Sequence, residues 1–250
     1  MASTAAIPLQ EPAPLSQAQR LVNTFFAPRK TFTDLRRSAA WWAPFLITVI
    51  VSVVFVYVVD QKVGFRKVVE NQLRLQPKQA ERIENLPAGQ RETAMQRQTS
   101  ITKGISYGFP LLMLAWHAIV AAVLLATLKF GAGAEVKYKT LFALVIYASV
   151  PGLFKAVLAV VSLLAGVASD AFTFQNPVAT NPGYFVDAAS SPVLFSLLSS
   201  IDILTIWILV LAAIGITCVS KVKRGTAFAV VFGWYAVTVL FGVAIALAFA

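Results

Sequence analysis

Cysteine and histidine are almost absent from these 250 residues, which hold one of each, Cys218 and His117. A single cysteine excludes an internal disulfide and any multi-cysteine metal site. Charge is scarce as well: 13% of the residues are Asp, Glu, Lys or Arg, against about a quarter in ordinary soluble domains. In their place the chain is 58% hydrophobic, with a mean hydropathy of +0.74. The apolar residues gather into five long blocks, a pattern that argues against a soluble enzyme, a disordered tail, a disulfide scaffold and a β-barrel porin. The expected fold class is all-α: a polytopic integral membrane helical bundle with five transmembrane helices.

Crossing a hydrocarbon core of about 30 Å takes about 20 apolar residues in a helix. Five stretches reach that length: residues 41–59, 105–130, 141–167, 193–219 and 226–250. Each is apolar all round, without the polar face of a water-exposed helix. Residues 1–40 then form a tail with an amphipathic interfacial helix. They lack a short apolar core behind a basic start, so no cleaved secretory signal is expected. Residues 60–104 form a hydrophilic insert, read as a solvated helical hairpin broken at Pro87-Ala88-Gly89.

The net charge of +10 reflects membrane topology, because Lys and Arg flank the apolar blocks; no nucleic-acid partner is expected. Arg29, Lys30, Arg36 and Arg37 precede the first span, Lys137 and Lys139 join the second to the third, and Lys221, Lys223 and Arg224 join the fourth to the fifth. Short basic connections mark the cytoplasmic side. The amino terminus is therefore expected inside and the connection 168–192, which has two aspartates and no Lys or Arg, outside. The insert 60–104 opposes this, with nine basic residues against five acidic ones on the side expected to be outside.

Three ionisable residues fall within the spans: His117, Lys155 and Asp202. At the bilayer centre a lysine or aspartate costs about 2.5 to 3.5 kcal/mol on insertion scales, so each needs a partner or a wet cavity. Counted from the span ends, the three lie at similar depth. They are expected to form one polar cluster: either a Lys155–Asp202 pair that fixes helix register, with His117 lining the pocket, or a transport or ligand site. Gly225, Ala229 and Gly233 put small residues along one face of the fifth span and are read as a helix-packing seam. No His-Glu-x-x-His, Walker or Gly-x-Ser-x-Gly motif is present, so no catalytic residue, metal or cofactor is expected.

The most specific stretch leads into the first span: Phe26-x-Pro28-x-x-Thr31-Phe32-x-x-Leu35, then Trp41-Trp42. Aromatic and leucine anchors around a basic cluster suit the membrane interface. Together with Tyr147-x-x-x-Pro151, Asp202-x-x-x-x-Trp207, Gly215 and Trp234, this stretch resembles the Yip family of Ypt/Rab-interacting membrane proteins, in particular its prokaryotic branch. The resemblance covers nearly the whole chain. It implies a five-span bundle with a cytoplasmic amino terminus, no catalytic residues, and a bacterial inner membrane. Eukaryotic relatives have a long cytosolic amino-terminal region linked to Rab GTPases; this chain has a short one and a 45-residue insert. The functional expectation is a non-enzymatic membrane-organising or adaptor protein acting through membrane lipids or a protein partner, its identity and the oligomeric state left open. The alternative is a small-solute or ion transporter or channel using the polar cluster.

Overall fold

The computed structural model describes residues 13–167 and 169–249. The first twelve residues of the expected tail, Ala168 and Ala250 lie outside the described residues. The described chain is all helix and loop, with no strand. Four helical stretches are long and apolar enough to cross a membrane: Trp42–Lys62, Ala88–Gly131, Tyr138–Leu164 and Arg224–Leu247. Pro192–Ser200 and Ile203–Val219, which bend by 47° at a short break, reach the same length and hydropathy together and make a fifth crossing when counted as one broken span. Exposed Leu, Ile, Val and Phe side chains ring these helices, as a lipid-facing surface requires.

Two short helices come first. α1 (Gln17–Phe26) starts at a capping box, in which the Gln19 amide donates to Ser16 Oγ at 3.2 Å and the Ser16 amide donates to Gln19 Oε1 at 2.9 Å. α2 (Pro28–Asp34) begins on a proline, which its missing N–H suits to a first helical turn. Residues before proline avoid the helical region, and Ala27 separates the two helices at φ −146°. Arg20 and Asp34 then lock the pair together, Nη2 to Oδ2 at 2.7 Å, with both side chains nearly buried. Thr31 Oγ1 donates to the Arg20 carbonyl at 2.8 Å.

This pair is built into the bundle. Phe32 and Leu35 are fully buried in the main core with Leu144, Tyr147 and Ile216. Phe25 meets the rings of Phe154 and Trp207, at centroid distances of 5.7 and 5.8 Å. Phe154 lies 12 residues beyond Phe142, which meets Trp41 at the start of the first span. At about 1.5 Å per residue, Phe25 sits about 18 Å further along the bundle than that start. An interfacial anchor describes only part of the segment: Phe26 is 85% and Trp42 57% exposed, whereas Thr31, Phe32 and Leu35 are buried and Pro28 and Trp41 half-buried.

After α3 (Trp42–Lys62) the chain turns at Gly64, whose φ of +81° strains any residue with a Cβ. α4 (Phe65–Arg74) and α5 (Pro77–Glu84) follow, then α6 (Ala88–Ala126), which continues as a π-helical turn to Gly131. The chain breaks at residues 85–87, so that of the expected Pro87-Ala88-Gly89 break only Pro87 is outside a helix and Ala88 and Gly89 already belong to α6; no second break follows at residue 104. Gln, Arg, Glu, Ala, Met and Lys, good helix formers, dominate residues 90–103, and the hydrophilic stretch and the second span form one rod. Its 44 residues measure about 66 Å, roughly twice the hydrocarbon thickness. The protruding half packs on α4 and α5 around Val69, Leu73 and Met95, a small core of its own. Arg66 clamps Glu92 with two bonds, at 2.7 and 3.0 Å, and Lys103 meets Asp60 at 2.8 Å.

The platform made by residues 60–104 shares its end of the bundle with the connection 169–191. Asn71 Nδ2 donates to the Phe172 carbonyl at 3.0 Å, and Phe172 and Phe174 turn inward against Phe55 and Phe65. The remaining helices are α7 (Tyr138–Ser149), α8 (Leu153–Leu164), α9 (Pro192–Ser200), α10 (Ile203–Val219) and α11 (Arg224–Phe249). One 3-10 turn, Val150–Gly152, joins α7 to α8.

Candidate functional site

Asp202 stands where the fourth span breaks. Its backbone is extended and its side chain caps α10, with Oδ1 accepting from the Leu204 and Thr205 amides at 3.0 Å each. Capping satisfies amides that would otherwise be left open inside the bundle, and places negative charge at the positive end of the helix. Oδ2 faces the other way. It accepts Lys155 Nζ at 2.7 Å from α8, Thr180 Oγ1 at 2.5 Å and Asn181 Nδ2 at 3.3 Å from the connecting loop. The aspartate side chain is 3% exposed and the lysine 29%.

The loop is held in place by its own polar residues. Asn176 and Asn181 exchange side-chain bonds at 2.9 and 3.1 Å, both buried, and the Ile203 amide donates to the Thr180 carbonyl at 3.2 Å. Gly183 lies so close to the end of α9 that a Cβ there would fall 2.6 Å from the Ser199 nitrogen. From α11, Tyr235 donates its hydroxyl to the Ser200 carbonyl at 2.6 Å, which satisfies one of the carbonyls freed by the break. Three other segments, α8, the connecting loop and α11, thus converge on one interruption in a helix.

Lys155 and Asp202 meet; His117 does not join them. Tyr138, the first residue of α7, donates to the carbonyl of Ala118, so His117 is level with the beginning of that helix. Lys155 lies 17 residues further along, about 25 Å. Counting depth from the end of the second span misplaces His117, because α6 runs past the start of α7 and the loop has to climb back. His117 is half-buried and forms no hydrogen bond or ion pair among the described residues.

The small residues of the fifth span are not a seam inside the chain. Gly225, Ala229 and Gly233 are exposed, and a Cβ at either glycine would meet nothing within 4 Å. Close helix approach occurs at Gly215 of α10, where a Cβ would stand 2.8 Å from the side chain of Leu144. Tyr147, fully buried, donates to Gln17 Oε1 at 2.6 Å and so ties the third span to α1.

These motif residues therefore have structural partners: Tyr147 with α1, Trp207 with Phe25, Asp202 with the break, and Gly215 with α7. The Yip1 domain family matches residues 22–246. The chain belongs to this family. No curated protein matches the chain, and no solved structure does. The matched residues take in the end of α1, all of α2 and the Asp202 break, and the Yip membrane-protein family is non-enzymatic. Among the described residues no group of three or more His, Cys, Asp or Glu side chains has the arrangement to hold a metal ion. Sequence reasoning missed Thr180, Asn181, Asn176 and Tyr235. Two Asn-Pro pairs five residues apart, Asn176-Pro177 and Asn181-Pro182, are the available signal, and such pairs ordinarily mark turns.

Proposed function

We propose that this multi-pass membrane protein is a membrane organiser or adaptor, working through lipid or protein partners and not through chemistry at a catalytic centre. The observation that carries the reading is the engagement of Asp202. Both carboxylate oxygens are occupied, one by the amides that begin α10 and the other by Lys155, Thr180 and Asn181. A carboxylate so occupied is a joint between helices; a transported ion or solute would have to displace internal partners. The surfaces left for partners are the platform of residues 60–104 and the lipid-facing sides of the spans.

The three short basic segments favour a cytoplasmic amino terminus, with the platform on the far side of the membrane, and the prokaryotic branch of the family favours a bacterial inner membrane. Pairing of Arg66 with Glu92 and of Lys103 with Asp60 offsets part of the platform's positive charge. On a background without Cys218, Arg82→Cys is expected to react with an impermeant thiol reagent from outside, and Lys139→Cys only after permeabilisation. The opposite pattern inverts the orientation.

Isolation in native lipid discs tests the function. Wild type and the neutral double variant Lys155→Met/Asp202→Asn are compared for bound proteins, lipids and small molecules by mass spectrometry. An adaptor keeps the same macromolecular partner in both. A small molecule found only with wild type, together with its flux in proteoliposomes, would replace the adaptor with a transporter.

A further inference from the structure

A cleft of about 860 Å³ opens between the platform and the membrane helices, away from the Asp202 joint. Its upper wall is α4, α5 and the turn between them, which contribute Gln72, Gln76, Lys78 and Arg82; its floor is α9 and α11, with Phe195 and Ile245. The two walls differ in chemistry because one belongs to the hydrophilic insert and the other to apolar spans.

Charge is sorted across α5. Lys78 and Arg82 are four residues apart and so share a face, about 5–6 Å between their Cβ atoms. Both line the cleft, whereas Glu81 and Glu84 of the same helix do not, and no carboxylate is among the lining residues. The nearest acid in the loop, Asp187, accepts from the Ala189 amide at 3.0 Å, which holds its carboxyl below the usual range. Among the described residues neither Lys78 nor Arg82 has an ion-pair partner.

The floor reaches the outer surface of the apolar helices: Ile245, which lines the cleft, is 45% exposed. A soluble anion would leave that apolar floor unused, and an uncharged apolar ligand would leave two cations unanswered. We infer that the cleft binds one glycerophospholipid of net negative charge, its phosphate against Lys78 and Arg82 and its acyl chains running down α9 and α11. The volume is within the usual range for a small-molecule pocket, about 300–1,000 Å³. This deepens the adaptor reading by naming the lipid class and the place where it docks, and it rests on that reading's membrane setting.

The full chain in phosphatidylcholine discs, titrated with fluorescent phosphatidylglycerol, provides the test. Saturable binding at one lipid per chain is expected, with labelled phosphatidylcholine failing to compete. Glycerol phosphate alone, which has the charge without the tails, is expected to compete only weakly. Lys78→Gln/Arg82→Gln should weaken binding about thirtyfold, at the usual contribution of a cation near an anionic surface. Arg97→Gln, a cation of the platform outside the cleft, should leave it unchanged. All these positions are exposed, so thermal unfolding should match wild type. Equal competition by phosphatidylcholine, full competition by glycerol phosphate, or equal loss in Arg97→Gln would each overturn the inference. A protein partner retained in native discs without any acidic-lipid preference would overturn it alone and leave the adaptor reading standing.

Discussion

The Asp202 joint and the platform are held by the same kind of bond at nearly the same length. Lys155 meets Asp202 at 2.7 Å, Arg66 meets Glu92 at 2.7 Å, and Lys103 meets Asp60 at 2.8 Å. Their surroundings differ: the Asp202 side chain is 3% exposed, whereas Arg66 and Glu92 are about half exposed. Water already solvates the platform charges when they separate, so little is lost. At the joint the aspartate is almost out of reach of water when its lysine is removed, and the loss is large. Distance alone does not rank these pairs; what replaces the partner does.

That contrast orders the expected effects of substitution. The largest belongs to Asp202→Ala, which strands Lys155 and uncaps α10 together. A loss on the order of 3–5 kcal/mol is expected, read as a lowered unfolding midpoint in native lipid discs. The charge swap Lys155→Asp/Asp202→Lys should recover only part of it, because a lysine has no acceptor for the Leu204 and Thr205 amides. Additive single effects in the double-mutant cycle would show that the two groups act independently.

Next comes Arg20→Ala, which leaves Asp34 buried without its partner between α1 and α2. About 3 kcal/mol is expected, and proteolysis within residues 13–40 should quicken if the pair holds those helices in the bundle. Gly183→Ala should cost about 1–3 kcal/mol by forcing the loop away from the Ser199 backbone. At the bottom stand Arg66→Ala and Glu92→Ala, for which the unfolding midpoint should not move beyond replicate scatter. A large shift from either would mean that the platform supports the spans and is more than an attachment to them.

Sequence patterning carries much of this architecture, for identifiable reasons. Five apolar blocks are legible because hydrocarbon thickness imposes a length, and Lys155 and Asp202 are legible as partners because an apolar block offers a charge no other company. His117 has the same rarity but a different outcome, since its depth depends on how far α6 runs past the start of α7. The face of Gly225, Ala229 and Gly233 looks like a packing seam on spacing alone, yet only tertiary structure decides which side of a helix meets a neighbour. Thr180 and Asn181 were hidden for another reason: in a loop rich in Asn, Pro and Ser, residues that reach into a bundle have the same composition as residues that merely turn.

The break at Asp202 also bears on the order of synthesis. Its lysine partner and its loop partners, Thr180 and Asn181, precede it in the chain, but the hydroxyl that meets the Ser200 carbonyl belongs to Tyr235, in the last span. Until α11 has been made, the Ser200 carbonyl therefore lacks the hydroxyl that meets it, whereas every side-chain partner of the carboxylate is already in the chain.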